Sequence, residues 1–349
     1  GLLCTIVEHI PFYNMICGKP NIFVVIIYYC TIAGMCIGMK IYLKKSEDKE
    51  SKKIIPKTGQ IVESKKSKKA KKRKIFIKKI IFVFGSFIII TISLFVHIFT
   101  GFEVNFLDVG QGDGIAIRTH DAFITVDGGS SDVKNVGKYR IIPFIKYKGI
   151  RAIDYAIISH LDNDHVSGVR ELLEQSDNGG IKVRNIVLPK LLNKDDEYVE
   201  MEKLAHAMGV EVLYLKNGDS IEAGPLKIKC INPDIKNQMD NRNDNSTVLD
   251  VKYKNFSMLL TGDISSEVEN NIEKNLAQKY TVLKVPHHGS RFSSSENMLS
   301  KIEPKYSVIS CGEGNSYGHP HIETIDRLNM HNTEILRTDF IGEIDFRME

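Results

Sequence analysis

Between residues 159 and 165 the chain reads Ser159-His160-Leu161-Asp162-Asn163-Asp164-His165, which puts two imidazoles and two carboxylates within six residues. Crowded together without a counter-ion, these groups repel one another and resist burial. A divalent cation resolves that conflict; a solvated acidic turn with incidental histidines leaves the density unexplained. Three further segments continue the theme. They are Leu259-Leu260-Thr261-Gly262-Asp263, Leu283-Lys284-Val285-Pro286-His287-His288-Gly289-Ser290 and Asn315-Ser316-Tyr317-Gly318-His319-Pro320. A lone Gly-Asp or His-His pair carries little information. Four strand ends that present His or Asp in this order carry much more, if their loops gather at one rim.

The elements that must position these residues follow from pattern. Strands are expected over 104–108, 115–118 and 123–126, with turns at 110–114 and at Asp127-Gly128-Gly129, because Gly and Asp clusters punctuate β-rich runs. Residues 153–159 form a short, nearly all-apolar strand of the kind buried on both faces. Helices are expected over 166–174, 197–208, 265–278 and 322–329. Further strands are expected over 212–215, 226–231, 247–253, 258–260, 282–285, 307–310, 334–336 and 343–346. This order fits an α/β fold, a four-layer αββα sandwich of two packed sheets with helices outside. No repeat of fixed period is present.

The first hundred residues are different in kind. Residues 22–39 and 80–100 are apolar all round and close to the length that crosses a bilayer as a helix. Between them residues 44–79 are crowded with lysine, and residues 65–79 alone hold ten Lys or Arg. Such a run reads as a solvated cytoplasmic loop, since basic loops between spans stay inside. The expected organisation is a membrane segment over 1–43 with one helix at about 22–39, a basic loop over 44–79, a second membrane helix over 80–100 and a globular domain over 102–349. Residues 1–100 carry a net charge of +13 and residues 101–349 a net charge of −9. The acidic domain argues against a broad cationic nucleic-acid footprint there. Cys4, Cys17, Cys30 and Cys36 lie in or beside the hydrophobic region, and Cys230 and Cys311 read as buried singles or a disulfide. The chain opens on Gly1 with no readable signal peptide, so it reads as the C-terminal portion of something longer or a processed chain.

The ordered set HxDxDH, TGD and PHHGS resembles the metallo-β-lactamase superfamily. The runs FLDVGQGDG, VDGG, ISHLDNDH, NDNSTVL, LLTGD, LKVPHHGS and NSYGHP are similar to the soluble hydrolase domain of ComEC-type DNA-uptake (competence) proteins, across essentially all of residues 102–349. A complete member of that family has many more membrane spans than the two read here. The resemblance implies a binuclear metal-dependent hydrolase that uses two cations to acidify a water and neutralise charge on a phosphoryl oxygen. It assigns His160, Asp162, Asp164, His165, Asp263 and His288 as ligands, with Asp263 bridging. His287 would face the substrate phosphate. Catalytic candidates are Asp164, Asp263, His287 and Lys284, although a strand-end lysine often just faces solvent. Substrate-binding candidates are Asn245, Ser246, Ser290 and His319; for His319 the roles of ligand, substrate contact and structural residue are all open. Gln111 and Asp113 read as turn residues that buttress the site. Asn245-Ser246 occupy a place where the superfamily usually has another His, and Asp162 stands where it commonly has His. Oxygen ligands then outnumber nitrogen, which favours Mn²⁺, with Zn²⁺ as the alternative.

The activity implied is that of a phosphodiesterase or nuclease acting on DNA, single-stranded in form, during natural competence. The domain would lie outside the cytoplasmic membrane. Its partners would be DNA, the membrane and other uptake machinery, with no nucleotide cofactor. The alternatives are a small phosphoester hydrolase resembling phosphorylcholine esterase, and a non-catalytic DNA-binding component of the uptake channel.

Overall fold

The structure is a computed structural model that describes residues 16, 18–51, 77, 80–92, 99–175 and 180–348. The chain divides into two compact units, Ile16–His97 and one built on Ile98–Glu349.

In the first unit, helix α1 covers Ile22–Ser51. Its portion Ile22–Ile41 is 20 residues long with a mean hydropathy of 2.2, and none of it is buried inside the protein. At about 1.5 Å per residue such a stretch reaches roughly 30 Å, the thickness of a bilayer core. Among the described residues it is the helix long and apolar enough to cross a membrane. Helix α2, Ile80–Ile92, is apolar but shorter. The hydroxyl groups that interrupt these runs turn back onto their own helices: Thr31 donates to Ile27 O, Ser86 to Phe82 O and Thr91 to Phe87 O. Helix α1 runs on to Ser51, so residues 44–51, expected as the start of the basic loop, are helical; lysine and glutamate are good helix formers. The rest of that loop (52–76 and 78–79), the end of the second expected span with His97, and Cys4 and Cys17 lie outside the described residues.

In the second unit the chain lays down two mixed sheets in succession. The first takes β1 (Phe102–Phe106), β2 (Ile115–Arg118), β3 (Phe123–Val126), β4 (Ala152–Ile157), β5 (Lys182–Pro189) and β6 (Glu211–Leu215). The second takes β7 (Ser220–Ala223), β8 (Leu226–Asn232), β9 (Val248–Tyr253), β10 (Phe256–Leu260), β11 (Val282–Lys284), β12 (Tyr306–Ile309) and β13 (Glu334–Arg337). The last strand, β14 (Ile344–Met348), returns to the first sheet beside β1. Strands β3 to β6 pair in parallel, as do β10 to β13, while the other pairs are antiparallel. Parallel neighbours need crossovers. In chain order these are α3 (Ile142–Tyr147), α4 (Asn163–Glu174), α5 (Asp196–Ala207), α6 (Ser266–Ile272), α7 (Glu296–Ile302) and α8 (Ile322–Met330).

Side-chain alternation assigns the layers. On β10, Met258 and Leu260 join Phe102, Val104, Phe106, Ile117 and Val251 in the core between the sheets, where Phe102 stacks on Tyr253 at 4.6 Å. Leu259 points the other way and packs with Val268, Ile272, Met298, Leu299 and Leu328 of α6, α7 and α8. This is the αββα arrangement. Because the parallel strands run the same way, the loops after β3 and β4, and those after β10, β11 and β12, leave from the C-terminal edges of their sheets. Ligand sites of α/β sheets form at such edges.

Several boundaries depart from the sequence expectations. Strand β1 begins at Phe102, and the helix expected over 265–278 ends at Ile272 and tightens into a 3₁₀ turn, Glu273–Asn275. Strands β5 and β7 and helices α3 and α7 were not expected. Strand β5 opens on Lys182-Val183-Arg184-Asn185, with one apolar residue in four, and α7 has only seven residues, too few to show a period. Cys230 and Cys311 are both free and buried, in different cores, and burial pushes each thiol up to about 12.

Candidate metal centre

The cluster expected on a loop after β4 straddles a helix start. Asp162 is the N-cap of α4, and Asp164 and His165 belong to its first turn. Two neighbouring loops are tied to that turn through backbone. Gly128 N donates to His165 O, Asp113 N to Asp164 O, and Gly129 N to Asp113 O. The approach is so close that a Cβ on Gly129 would lie 2.4 Å from His165 N.

Asp263 comes from the loop after β10, where Gly262 has φ +54 and packs on Ser246. The loop after β11 turns sharply at His287 (φ 49, ψ 47) and His288 (φ 53, ψ 23), two consecutive left-handed residues that are not glycine. Each costs on the order of 1–3 kcal/mol and persists only where the surroundings impose it. The turn carries the His288 ring back to Asp263.

Three imidazoles converge with the same polarity. His165 Nδ1 donates to Asp127 Oδ2 (3.0 Å), and His288 Nδ1 donates to Ser310 O (2.9 Å). His160 Nδ1 lies 3.0 Å from Ser159 Oγ and 3.3 Å from Ser246 Oγ. A carboxylate and a carbonyl only accept, so the Nδ1 atoms of His165 and His288 carry hydrogen, and their Nε2 atoms face inward. All three Nε2 atoms are buried without a hydrogen-bond partner. Asp263 Oδ2 sits 3.3 Å from His165 Nε2 and 3.4 Å from His288 Nε2, and Asp164 Oδ2 sits 3.4 Å from His288 Nε2. The ligand atoms of Asp164, His165, Asp263 and His288 all lie within 4.8 Å of one another.

The local charge is strongly negative. Asp113, Asp127 and Asp263 lie about one buried ammonium, Lys284, which pairs with Asp113 and lies 3.6 Å from Asp263 Oδ1, and Asp164 adds a fourth carboxylate beside His288. Burial opposes protonation of His165, but Asp263 and Asp127 outweigh it and raise its pKa well above the ordinary value. His288 is pushed up to about 9 by Asp263 and Asp113, again against burial. Burial likewise opposes ionisation of Asp164 and Asp263, yet His288 and His165 hold both below the usual carboxylate range. The arrangement draws positive charge, and the donor set suits a divalent cation. Asp113, Asp127 and His165 also lie close together, but Lys284 and the His165 Nδ1–H already answer those carboxylates. They form the layer that supports the ligands.

Other expected residues fall elsewhere. Asp162 Oδ2 is 3.6 Å from His160 Nε2, while its Oδ1 accepts from Arg242 (2.6 Å), which also grips Asp195. Lys284, far from facing solvent, is buried and donates to Gly262 O (3.2 Å). Asn245 staples its own loop, accepting from Met239 N and donating to Met239 O and Asn241 O. Ser246 Oγ accepts from Asp263 N and so supports that carboxylate. Ser290 is buried beneath the turn. His287, half-exposed, brings Nε2 to 3.8 Å from Asp263 Oδ2, and burial lowers its pKa. His319 lies with its ring 5.5 Å from that of His287, its pKa pushed down to about 4 by burial and by the neighbouring imidazoles. Gln111 Oε1 accepts from Gly312 N. The supporting roles of Asp127 and Ser310 went unassigned in the sequence. The VDGG run held Asp127 in plain view, but a backbone carbonyl such as Ser310 O has no side-chain signature.

Residues 107–313 match the Metallo-beta-lactamase superfamily. Among curated proteins the chain is similar to ComE operon protein 3 of Bacillus subtilis, 31% identical over 262 residues that cover 70% of this chain and 33% of that protein. It is similar to recombination protein 2 of Haemophilus influenzae (29% identical, 69% of this chain, 28% of that one). It is also similar to competence protein ComA of Neisseria gonorrhoeae (30% identical, 68% of this chain, 31% of that one). The chain spans about a third of the length of these relatives. Among solved structures, the metallo-beta-lactamase fold protein YhfI from Bacillus subtilis has a TM-score of 0.49 and 11% identity, covering 71% of this chain and 100% of that one.

Proposed function

Starting from a chain that belongs to the metallo-β-lactamase superfamily, with a domain of the ComEC-type competence proteins, we propose that it is a membrane-anchored, metal-dependent phosphodiesterase that cleaves single-stranded DNA during uptake. The observation that carries the chemistry is the convergence of two buried, unpartnered Nε2 atoms, those of His165 and His288, on Asp263, with the equally unpartnered Nε2 of His160 facing Asp162. Asp164, His165, Asp263 and His288 would hold one divalent ion. His160 and Asp263, with the Asp162 oxygen not taken by Arg242, would hold a second and more loosely bound one. Cations held there would supply Lewis acidity toward a phosphoryl oxygen and acidify the attacking water. His287, neutral and half-exposed, is placed to hydrogen-bond a phosphoryl oxygen. Lys284, Asp127 and Ser246 hold the ligands in position. The DNA substrate, the uptake setting and the preference for Mn²⁺ over Zn²⁺ rest on the competence relatives and on the oxygen-rich ligand set.

The test is hydrolysis of a single-stranded oligonucleotide by the purified chain, stripped of metal and reloaded with Mn²⁺, Zn²⁺ or Mg²⁺, with bound metal quantified in parallel. Activity should return best with Mn²⁺. Asp263→Ala should lose both metal and turnover. Near-normal metal content and turnover in Asp263→Ala would show that the cluster is not the catalytic centre.

A further inference from the structure

We propose that the outward face of Tyr317 is a stacking site for an unpaired nucleobase beside the metal centre, an inference that rests on the phosphodiesterase reading. Tyr317 is 55% exposed, and single exposed aromatics are common on protein surfaces. This one differs in how its ring is held. It stacks on His319 with centroids 5.8 Å apart and planes 17° apart. His319 in turn lies 6.2 Å from the His288 ring at 30°. Three near-parallel rings therefore run from solvent to a ligand of the proposed metal.

The loop that carries them is braced from behind. Asn315 Oδ1 accepts from His319 N, and its amide donates to His319 O and to Gly312 O. His321 N donates to Gly289 O (2.9 Å), and Pro320 packs where a Cβ on Gly289 would stand, 2.5 Å away. The same Gly289 follows His288, so the loop bearing Tyr317 and the loop bearing the ligand are locked together. The loop that presents Tyr317 is thus set before any substrate arrives, and a base stacking on its ring loses little to ordering the backbone. Every base offers a π-face, so stacking of this kind tolerates any sequence but needs bases freed from a duplex. The ligand class is therefore single-stranded nucleic acid, gripped by one base near the phosphate that is cleaved.

The experiment compares the purified chain with Tyr317→Ala and Tyr317→Trp on two strands of equal length, an oligothymidylate and a strand of abasic nucleotides. Binding of each labelled strand is also measured by fluorescence anisotropy without added metal. Tyr317→Ala should raise KM for the oligothymidylate about tenfold, the scale of one lost base stack, and weaken its binding by a similar factor. Cleavage and binding of the abasic strand should not change, and Tyr317→Trp should restore the oligothymidylate values. Equal losses on both strands, no loss on either, or failure of Trp to rescue would overturn the stacking site. An unmodified chain that cleaves neither strand refutes the phosphodiesterase reading; the anisotropy comparison then decides the stacking site by itself, upheld by a selective loss in Tyr317→Ala and overturned without one.

Discussion

Asp127 accepts the Nδ1–H of His165 at 3.0 Å with one oxygen and the Ser159 N–H at 2.7 Å with the other. That pair of bonds fixes the ring's tautomer and aims Nε2 at Asp263. Carboxylates behind metal-bound histidines typically contribute 10- to 100-fold in affinity. Asp127→Asn keeps the shape but not the charge, and should weaken Mn²⁺ binding by roughly 10-fold or more, read by calorimetry on the metal-free chain. Unchanged affinity would reduce Asp127 to a packing residue. Asp162 raises a question of ligand identity rather than strength. The neighbouring His160 is the main influence that lowers its pKa; burial opposes it and Arg242 assists. Arg242 leaves one carboxylate oxygen for the site, a hard and weak donor. Asp162→His should shift the ratio of Zn²⁺- to Mn²⁺-supported hydrolysis toward Zn²⁺. An unchanged ratio would mean that residue 162 does not reach the metals.

At the scale of elements, the site depends on strands holding their register while their ends carry repelling charges. Strand β1 bears a buried device that reports on this. Glu103 pairs with Lys148, just past α3, and with Arg347 of β14 (3.1 Å), so one carboxylate joins a helix end and two strands. Burial would raise its pKa, but the Lys148 hydrogen bond and charge, with Arg347, bring it below the ordinary 4.5. A lowered carboxylate pKa adds stability that is present above the unfolded value and is lost as pH falls through the folded one. Lys148→Met should therefore cost about 3 kcal/mol at pH 7, with Arg347 still in place. The gap to the unmodified chain should narrow as pH falls below 4.5, where Glu103 takes up its proton. Thermal unfolding of both chains across pH 3–8 checks this, and a gap independent of pH would mean that the loss is one of packing.

For the whole molecule, the open matter is which side of a membrane the domain occupies. Residues 1–100 carry a net charge of +13 against −9 for the rest of the chain, and the basic residues are concentrated between two apolar stretches. Basic loops stay cytoplasmic, so helix α1 is expected to run inward and the stretch beginning with α2 to run outward. The hydrolase domain would then meet DNA on the outer side. Protease added to intact protoplasts should digest residues 102–349 and spare the basic loop. Protection of the domain until lysis would reverse the topology.

The sequence by itself determined a good deal of this protein. The density of His and Asp after buried apolar runs could be read without coordinates, since charged groups seldom end several core strands unless something binds them. The separation of a basic, apolar N-terminal part from an acidic domain was equally legible, because charge and hydropathy are local properties. Layer architecture followed from the order of strands and helices. Tertiary structure decided what depends on direction. Lys284 lies next to the PHHGS run and read as a substrate contact, but β11 turns its ammonium inward to Asp113, which lies more than 170 residues away along the chain. Asn245 lies beside the ligands in sequence order, yet its amide closes its own loop. Asp162 belongs to the ligand motif, yet Arg242 claims one of its oxygens. A sequence records which groups are available, but which way each faces is set by the pleat of its strand, the first turn of its helix and the partner that reaches it first.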